Sequence, residues 1–429
     1  MDFQTIGLLS IVVLLVIVLL GCPVGVSMIL VGFGGFALMI GTGPALSVLE
    51  TAAWETAPNY GFALVPLFLL LGDVITESVM ARDLFRASER VTRGWSGGIA
   101  AASVTASAAF STISGSSLAT AATITRVAYP EMERRGYAPR LAAGSLAAGG
   151  TLGIMIPPSI ALLLYALITE QSVSEMFLAG ILPGILAYSL YMLTILIVSR
   201  YWKPGDTREA LEDTSLWEAL RLFLPVALLF GLVMGGLYGG FFSPTEAGGA
   251  GAALALLFAV LRGMNFAGLI RALKNTVAAT AGIFLILIGA EVYGFVISTS
   301  QLSFGIVSFM REAGLEPWQI LALILSVYIV LGCFMESLAM ILLTIPIFFP
   351  VIVDAGYDPV WFGIIAVVTV ELGLITPPVG MNLFMVKSSA PRLSQRAIMI
   401  GVLPFVLSDI VRLGLLIAFP AISLVLIGR

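Results

Sequence analysis

Leu152-Gly153-Ile154-Met155-Ile156-Pro157-Pro158 returns 220 residues later as Leu372-Gly373-Leu374-Ile375-Thr376-Pro377-Pro378. Each copy interrupts an apolar run. Ahead of it, Ser117-Leu118-Ala119 recurs as Ser337-Leu338-Ala339, Pro130 as Pro350, and Gly136-Tyr137 with Pro139 as Gly356-Tyr357 with Pro359. In all, 11 of 44 ungapped positions are identical between 115–158 and 335–378. Proline lacks the N–H that a helix needs and biases the preceding residue away from helix, so each copy reads as a helix broken in mid-run. Apolar segments broken by glycine and proline at corresponding places in two halves of a chain point to a membrane carrier's binding site.

Composition makes the membrane reading general. Of 429 residues, 59% are hydrophobic and 11% charged, against about 25% charged in soluble domains. A polytopic membrane protein without a soluble domain is expected. Residues 3–20 follow Asp2 and contain no basic residue, so they read as a retained helix rather than a signal peptide. The chain has no histidine, which removes the usual haem and zinc ligand and the commonest general base. Cys22 and Cys333 are far apart in sequence and imply neither a disulfide nor a metal site. No Walker-type phosphate loop is present. An enzyme, a haem or zinc protein, a nucleic-acid binder and an ATP-driven pump are therefore not expected.

Apolar runs of about 17–25 residues cross a bilayer as helices. Such runs lie at 4–21, 24–41, 61–80, 139–169, 177–200, 219–238, 243–262, 276–298, 360–387 and 397–427. Two further segments, 96–129 and 316–350, are too long for one helix and too apolar for loops. Arg82, Arg86, Arg90 and Arg93 precede the first of them, and Arg134, Arg135 and Arg140 follow it. Basic residues favour the cytoplasmic side, so this segment is expected to enter and return as a re-entrant hairpin. Arg200, Lys203, Arg208, Arg221, Arg262, Arg271, Lys274, Lys387, Arg392 and Arg396 then fall inside, with Glu50, Glu55, Glu170, Glu175, Asp354 and Asp358 opposite. Five crossings separate the two hairpin segments, and an odd number inverts the second copy. The fold class expected is an all-α polytopic membrane protein: an inverted-topology repeat with about ten spanning helices, two re-entrant helical hairpins and both termini outside. Its expected units are scaffold helices at 1–80, a first transport repeat at 81–176, scaffold helices at 177–262, a second transport repeat at 263–390 and a C-terminal helix at 391–429.

Irregular backbone survives at membrane depth only inside protein or along a wet cavity. The first hairpin turn, Phe110-Ser111-Thr112-Ile113-Ser114-Gly115-Ser116-Ser117, is rich in hydroxyls. It faces the break Gly150 to Ser159, where carbonyls from Gly153 to Ile156 lose intrahelical partners. The second pair sets Gly332-Cys333-Phe334-Met335-Glu336-Ser337 against Gly373 to Asn382. Free carbonyls with Ser and Thr hydroxyls suit a hard cation such as Na⁺. Half-helix N-termini after each break carry positive dipole ends suited to an anion. An anionic substrate is therefore expected at Ser114, Gly115 and Ser116 with Pro157, and at Met335 and Glu336 with Pro377 and Asn382. Glu336 reads either as shaping substrate or ion binding or as a tip carboxylate capping a helix. Glu371 and Glu291 interrupt apolar runs and read as protonated or bonded to neighbouring helices. Asp73 and Glu77 read as structural, Asp409 and Arg412 as an i,i+3 pair, and Arg126 as an inner-face charge.

At these residues the chain resembles the large membrane subunit of tripartite ATP-independent periplasmic (TRAP) transporters, the DctM family. The resemblance covers nearly the full length. It rests on Ser114-Gly115-Ser116-Ser117 through Thr120, on Gly150 to Gly153 followed by Ile156-Pro157-Pro158-Ser159, on Pro244-Thr245-Glu246-Ala247, and on Gly373 to Gly380 with Asn382-Leu383. It implies a Na⁺-driven, elevator-type importer of organic acids, C4-dicarboxylates or sugar acids. It implies a bacterial or archaeal cytoplasmic membrane, a small four-helix membrane subunit and a periplasmic substrate-binding protein as partners, with lipid around them. It implies Na⁺ as the one cofactor, one site lying near Ser111, Thr112, Gly153 and Ile156 and the other near Gly332, Gly373, Thr376 and Val379. A proton replacing one Na⁺ stays open. Helices 82–93 and 264–274 would be the bracing arms. The alternatives are a stand-alone divalent-anion/Na⁺ symporter of the same superfamily, a membrane enzyme and a channel.

Overall fold

The computed structural model describes residues 2–202 and 215–429; Lys203 and Arg208, expected on the inner face, lie outside them. Among the described residues every regular element is a helix. The first half runs α1 (Phe3–Leu19), α2 (Val24–Ile40), α3 (Thr42–Thr56), α4 (Leu64–Glu77) and α5 (Met80–Val91). It continues with α6 (Gly98–Ser114), α7 (Ser117–Arg134), α8 (Pro139–Met155), α9 (Ile160–Ile168) and α10 (Val173–Val198). The second half runs α11 (Leu216–Tyr238), α12 (Pro244–Leu261), α13 (Phe266–Thr299) and α14 (Leu302–Glu312). It closes with α15 (Pro317–Gly332), α16 (Ser337–Asp354), α17 (Pro359–Ile375), α18 (Met381–Ser389) and α19 (Gln395–Ala418).

The 220-residue register governs the whole chain and not only the 44 matched positions. Adding 220 to the bounds of α7 gives those of α16, and adding it to those of α8 gives those of α17. Val24, where α2 starts, maps onto Pro244, where α12 starts. The halves differ at one place. Residues that form α3, a turn and α4 in the first half correspond to one unbroken 34-residue helix, α13, in the second. The cause is Pro58, whose counterpart is Ala278: proline removes a helical donor where alanine keeps it.

Among the described residues ten spanning units result: α1, α2, α4, α8 with α9, α10, α11, α12, α13, α17 with α18, and α19. Seven of these units, and also α16, hold a window long and apolar enough to cross a membrane; α1, α2 and α17 are shorter apolar helices. α6 with α7 and α15 with α16 form the two hairpins, and five units separate them, so the second copy is inverted. Hairpin geometry has a local cause at Gly115. Its left-handed backbone (φ +58°) ends α6, a conformation glycine adopts without a Cβ clash. Ser116 then caps α7 by accepting the Ala119 N–H at 3.4 Å.

Two sequence expectations change. The arm expected at 264–274 is not a helix of its own, because its residues from Phe266 run unbroken into the span. By register the partner of α5 is α14. Residues 42–56, which lie outside every expected span, are helix α3.

α8 and α17 are the centre of the molecule. Every residue from Leu141 to Met155 and from Val360 to Ile375 is buried. An apolar helix covered on all faces is surrounded by protein. Their crossings are close: a Cβ on Gly144 of α8 would stand 2.1 Å from the Gly401 carbonyl oxygen of α19. α1, α11 and α12 instead leave Leu8, Val12, Val16, Leu220, Leu224, Leu228, Leu257 and Val260 exposed, the outward face expected where lipid is the solvent.

Candidate functional site at two helix breaks

Each break is made by two prolines. Pro157 and Pro158 withhold the N–H groups that would bond the Gly153 and Ile154 carbonyls, and Pro377 and Pro378 do the same to Gly373 and Leu374. The Pro157–Pro158 and Pro377–Pro378 bonds are both cis. Ser159 recovers one orphan, donating its hydroxyl to the Ile154 carbonyl while capping α9 at the Leu162 N–H, 3.2 Å away. In the second break Thr376 tightens the turn, its N–H reaching the Gly373 carbonyl at 3.1 Å and its hydroxyl the Leu372 carbonyl at 2.6 Å.

The hairpin tips dock on these breaks through glycine. A Cβ on Gly153 would meet the Ser116 carbonyl oxygen at 2.7 Å and Thr120 Oγ1 at 2.9 Å. A Cβ on Gly373 would meet Gly332 Cα at 2.7 Å. The expected pairs Gly153 with the first tip, and Gly373 with Gly332, are thus in backbone contact. Cys333 Sγ stands 3.9 Å from the Thr376 carbonyl oxygen, joining the second tip to the second break.

The first tip presents oxygens whose protons are already engaged. Ser111 donates to the Ala108 carbonyl and Thr112 to the Ala109 carbonyl, both at 2.7 Å. Thr120 donates to the Ser116 carbonyl at 2.8 Å, so the 2.8 Å contact between Ser114 and Thr120 leaves Ser114 as donor. A hydroxyl that has donated its proton offers lone pairs only, which is cation chemistry. The breaks differ in access: Pro157 and Pro158 are buried, whereas Pro378 is exposed and Pro377, Val379 and Ile156 are half-buried. Phe334 at the second tip is 52% exposed, with Met335 buried beside it.

Glu336 occupies the register position of Ser116 and performs its task. Its carboxylate accepts the Ala339 N–H at 3.2 Å, capping α16, and the Ser337 hydroxyl at 3.2 Å. Asn382, fully buried, joins the two halves: its Nδ2 donates to Ser117 Oγ at 2.8 Å and to the Ala147 carbonyl at 3.3 Å. Asn382→Ala is expected to cost about 1–3 kcal/mol, the scale of a buried polar group left unpaired. Thermal unfolding of the purified chain checks this, and Ser117→Ala combined with Asn382→Leu should recover part of the loss.

The polar network about Arg412 exceeds the sequence reading. The pair with Asp409 is present at 3.2 Å, but Arg412 also holds Glu371 at 2.7 Å. Tyr191 donates to Asp409 at 2.7 Å and lies 2.9 Å from the Thr151 hydroxyl. Thr151 enters from the sequence only within the motif Gly150 to Gly153, and Tyr191 not at all; the available signal is that Thr151 and Glu371 share a register position. Asp73 and Glu77 bind α13, through Thr276 and Arg271 at 2.7 and 2.8 Å. Glu291 lines a cavity of about 440 Å³ with Glu55, Asn59, Glu170, Phe349 and Pro350, away from both breaks. Arg126 is exposed on α7.

Outside the spanning units, α5 is tied at two points. Asp83 pairs with Arg262 at the C-terminal end of α12 and Glu89 with Arg135 at the base of the first hairpin, each at 2.8 Å. Burial pushes both carboxyls above their ordinary values, and the paired arginines oppose it.

Comparison with known proteins gives a consistent answer. The family model described as "Tripartite ATP-independent periplasmic transporter, DctM component" matches residues 11–422. A Pseudomonas aeruginosa protein named C4-dicarboxylate TRAP transporter large permease protein DctM is 37% identical over 397 residues, 92% of each chain. A Vibrio cholerae sialic acid TRAP transporter large permease is 31% identical over 416 residues, 95% of each. An Escherichia coli 2,3-diketo-L-gulonate TRAP transporter large permease is 28% identical over 359 residues, covering 82% of this chain and 83% of its own. Among solved structures, the Alcanivorax borkumensis YdaH transporter matches with TM-score 0.61 over 89% of this chain and 90% of its own, at 17% identity. That likeness is one of fold.

Proposed function

This chain belongs to the DctM component family of tripartite ATP-independent periplasmic transporters, and from that membership we propose that it is the membrane-embedded permease of a Na⁺-coupled organic-acid importer. One observation supports the coupling: two inverted hairpin tips, each in backbone contact with a proline-broken helix that keeps a carbonyl, Gly153 or Leu374, without its intrahelical donor. Na⁺ binds at Ser111, Thr112, Gly153 and Ile156 in the first site and at Gly332, Gly373, Thr376 and Val379 in the second. Bound cations hold the tips on the breaks and place positive charge beside the half-helix N-termini of α9 and α18, where a carboxylate is received. Ser114, Gly115, Ser116 and Pro157 contribute from the first half and Met335, Glu336, Pro377 and Asn382 from the second, Asn382 through its bonds to Ser117 and Ala147. Three of the relatives are named for carboxylates, C4-dicarboxylate, sialic acid and diketogulonate, and one for the sulfonate isethionate, which supports an organic acid as substrate.

The chain works in a bacterial or archaeal cytoplasmic membrane with both termini outside. A periplasmic binding protein delivers the acid, and a small four-helix subunit widens the scaffold. The hairpin-bearing units slide against that scaffold as an elevator. A named DctMQ relative supports the second subunit: this chain spans 58% of its length.

Uptake into proteoliposomes of the chain with both partners tests the reading. A Na⁺ gradient is expected to drive accumulation of a labelled C4-dicarboxylate or sialic acid, and K⁺ is expected not to. Thr376→Ala should raise the Na⁺ needed for half-maximal uptake about tenfold, the equivalent of about 1.4 kcal/mol, with Thr376→Ser close to wild type. An unaltered Na⁺ dependence in Thr376→Ala rejects the second site. Uptake by the chain alone would favour the stand-alone symporter.

A further inference from the structure

Five side chains make one polar path between the two breaks, three of its links hydrogen bonds and one, Asp409 to Arg412, an ionic contact. It starts at Thr151, two residues before Gly153. The Thr151 hydroxyl lies 2.9 Å from Tyr191 of α10, which donates to Asp409 Oδ2 of α19 at 2.7 Å. Asp409 Oδ1 is 3.2 Å from Arg412 Nη2, and the same nitrogen donates to Glu371 Oε2 at 2.7 Å. Glu371 is two residues before Gly373. Thr151 and Glu371 are 220 apart, so the path joins one register position of the repeat to its inverted copy.

Every member is buried at zero exposure, so water does not compete for these bonds, and a low local dielectric strengthens them. Arg412 stands against both carboxylates through Nη2 alone, and Glu371 Oε1 and Asp409 Oδ1 keep no hydrogen-bond partner. One joint has two settings. Tyr191 spends its only proton on Asp409, so the Thr151 proton has two acceptors, Tyr191 at 2.9 Å and the Ala148 carbonyl of its own helix at 2.8 Å. A hydroxyl with one intrahelical and one cross-helix acceptor can turn from one to the other, and coupling between sites requires an element of that kind that both sites bias.

Resting on the reading of the breaks as Na⁺ sites, we infer that this path couples them, with Thr151 and Tyr191 as positioning residues: occupancy of one break sets the affinity of the other. Coupling between two sites is reciprocal and raises the Hill coefficient toward their number.

The test is Na⁺ titration of the thermal stability of the full chain in detergent, at constant ionic strength with K⁺. Wild type is expected to give a Hill coefficient near 2. Tyr191→Phe keeps the ring and removes both joints of the path; it should lower the coefficient toward 1 and raise the half-saturating Na⁺ about fivefold or more. Thr151→Val should do the same, and the double variant should go no further. Tyr165→Phe is the control. It removes an equally buried hydroxyl that bonds the Pro359 carbonyl at 2.6 Å, at the far end of α17 from its break, and should leave the coefficient unchanged. Folded Tyr191→Phe and Thr151→Val with the wild-type coefficient, or a wild-type coefficient of 1, overturns the inference alone. No stabilisation by Na⁺ over K⁺ in wild type overturns the reading of the sites, and the inference with it.

Discussion

Alanine at Gly153 or at Gly373 is expected to abolish Na⁺-driven uptake while leaving the chain folded in the membrane. The added Cβ would sit 2.7 Å from the Ser116 carbonyl oxygen in the first case and 2.7 Å from Gly332 Cα in the second. Both neighbours are backbone, so neither yields by a rotamer change. Overpacking of this kind costs about 1–3 kcal/mol if the structure holds. Here it has an escape, because the hairpin tip can lift from the break, and lifting separates the oxygens that define the cation site. Uptake should fall at least about a hundredfold, since a ligand misplaced by about 1 Å costs on that scale. Size-exclusion profiles should stay those of wild type. Gly282→Ala is the control: nothing stands within 4 Å of its Cβ, and transport should be unaffected. Wild-type uptake by either break variant would mean that the contact between tip and break has no part in transport.

The second large effect falls on folding. Arg412→Met leaves Glu371 and Asp409 buried at zero exposure without their cation. Removing one partner from a buried ion pair costs about 3–5 kcal/mol, and here two carboxylates lose the same partner. The expected outcome is a chain that fails to accumulate as a monodisperse species when extracted from membranes. Arg412→Met combined with Glu371→Gln and Asp409→Asn should recover expression, because replacing a whole buried ionic group is far milder than breaking it. That triple variant should then show the non-cooperative Na⁺ response of Tyr191→Phe. A stable, monodisperse Arg412→Met single variant would show that the triad is not what holds α17 to α19.

Much of this architecture was legible because its signals are covalent. Proline removes a donor wherever it stands, and a repeat in register announces that two such removals are related. Hence the two breaks follow from residues 115–158 and 335–378, the hairpins from the basic residues around them, and the spanning units from the lengths of the apolar runs. What stayed hidden depended on packing. Arg271 and Lys274 look alike in sequence whether they lie on a separate interfacial helix or on the end of a long span, and only the absence of a counterpart to Pro58 favours the latter. α3, with Gly43, Pro44 and two glutamates, reads as a loop until its helix is seen. Thr151 and Tyr191 carry no pattern of their own, because their role appears only once α8, α10, α17 and α19 are packed together. Glu336 turned on local geometry: a carboxylate at a tip caps the helix behind it as readily as serine does.

The unbroken helix of the second half has a mechanical consequence. Its 34 residues make a rod of about 51 Å at about 1.5 Å per residue, longer than the roughly 40–45 Å of a whole bilayer. Its folded counterpart in the first half presents no such rod. A change in membrane thickness therefore loads the molecule unevenly: hydrophobic mismatch is taken up by lean or protrusion on one side of the pseudo-symmetry and not on the other.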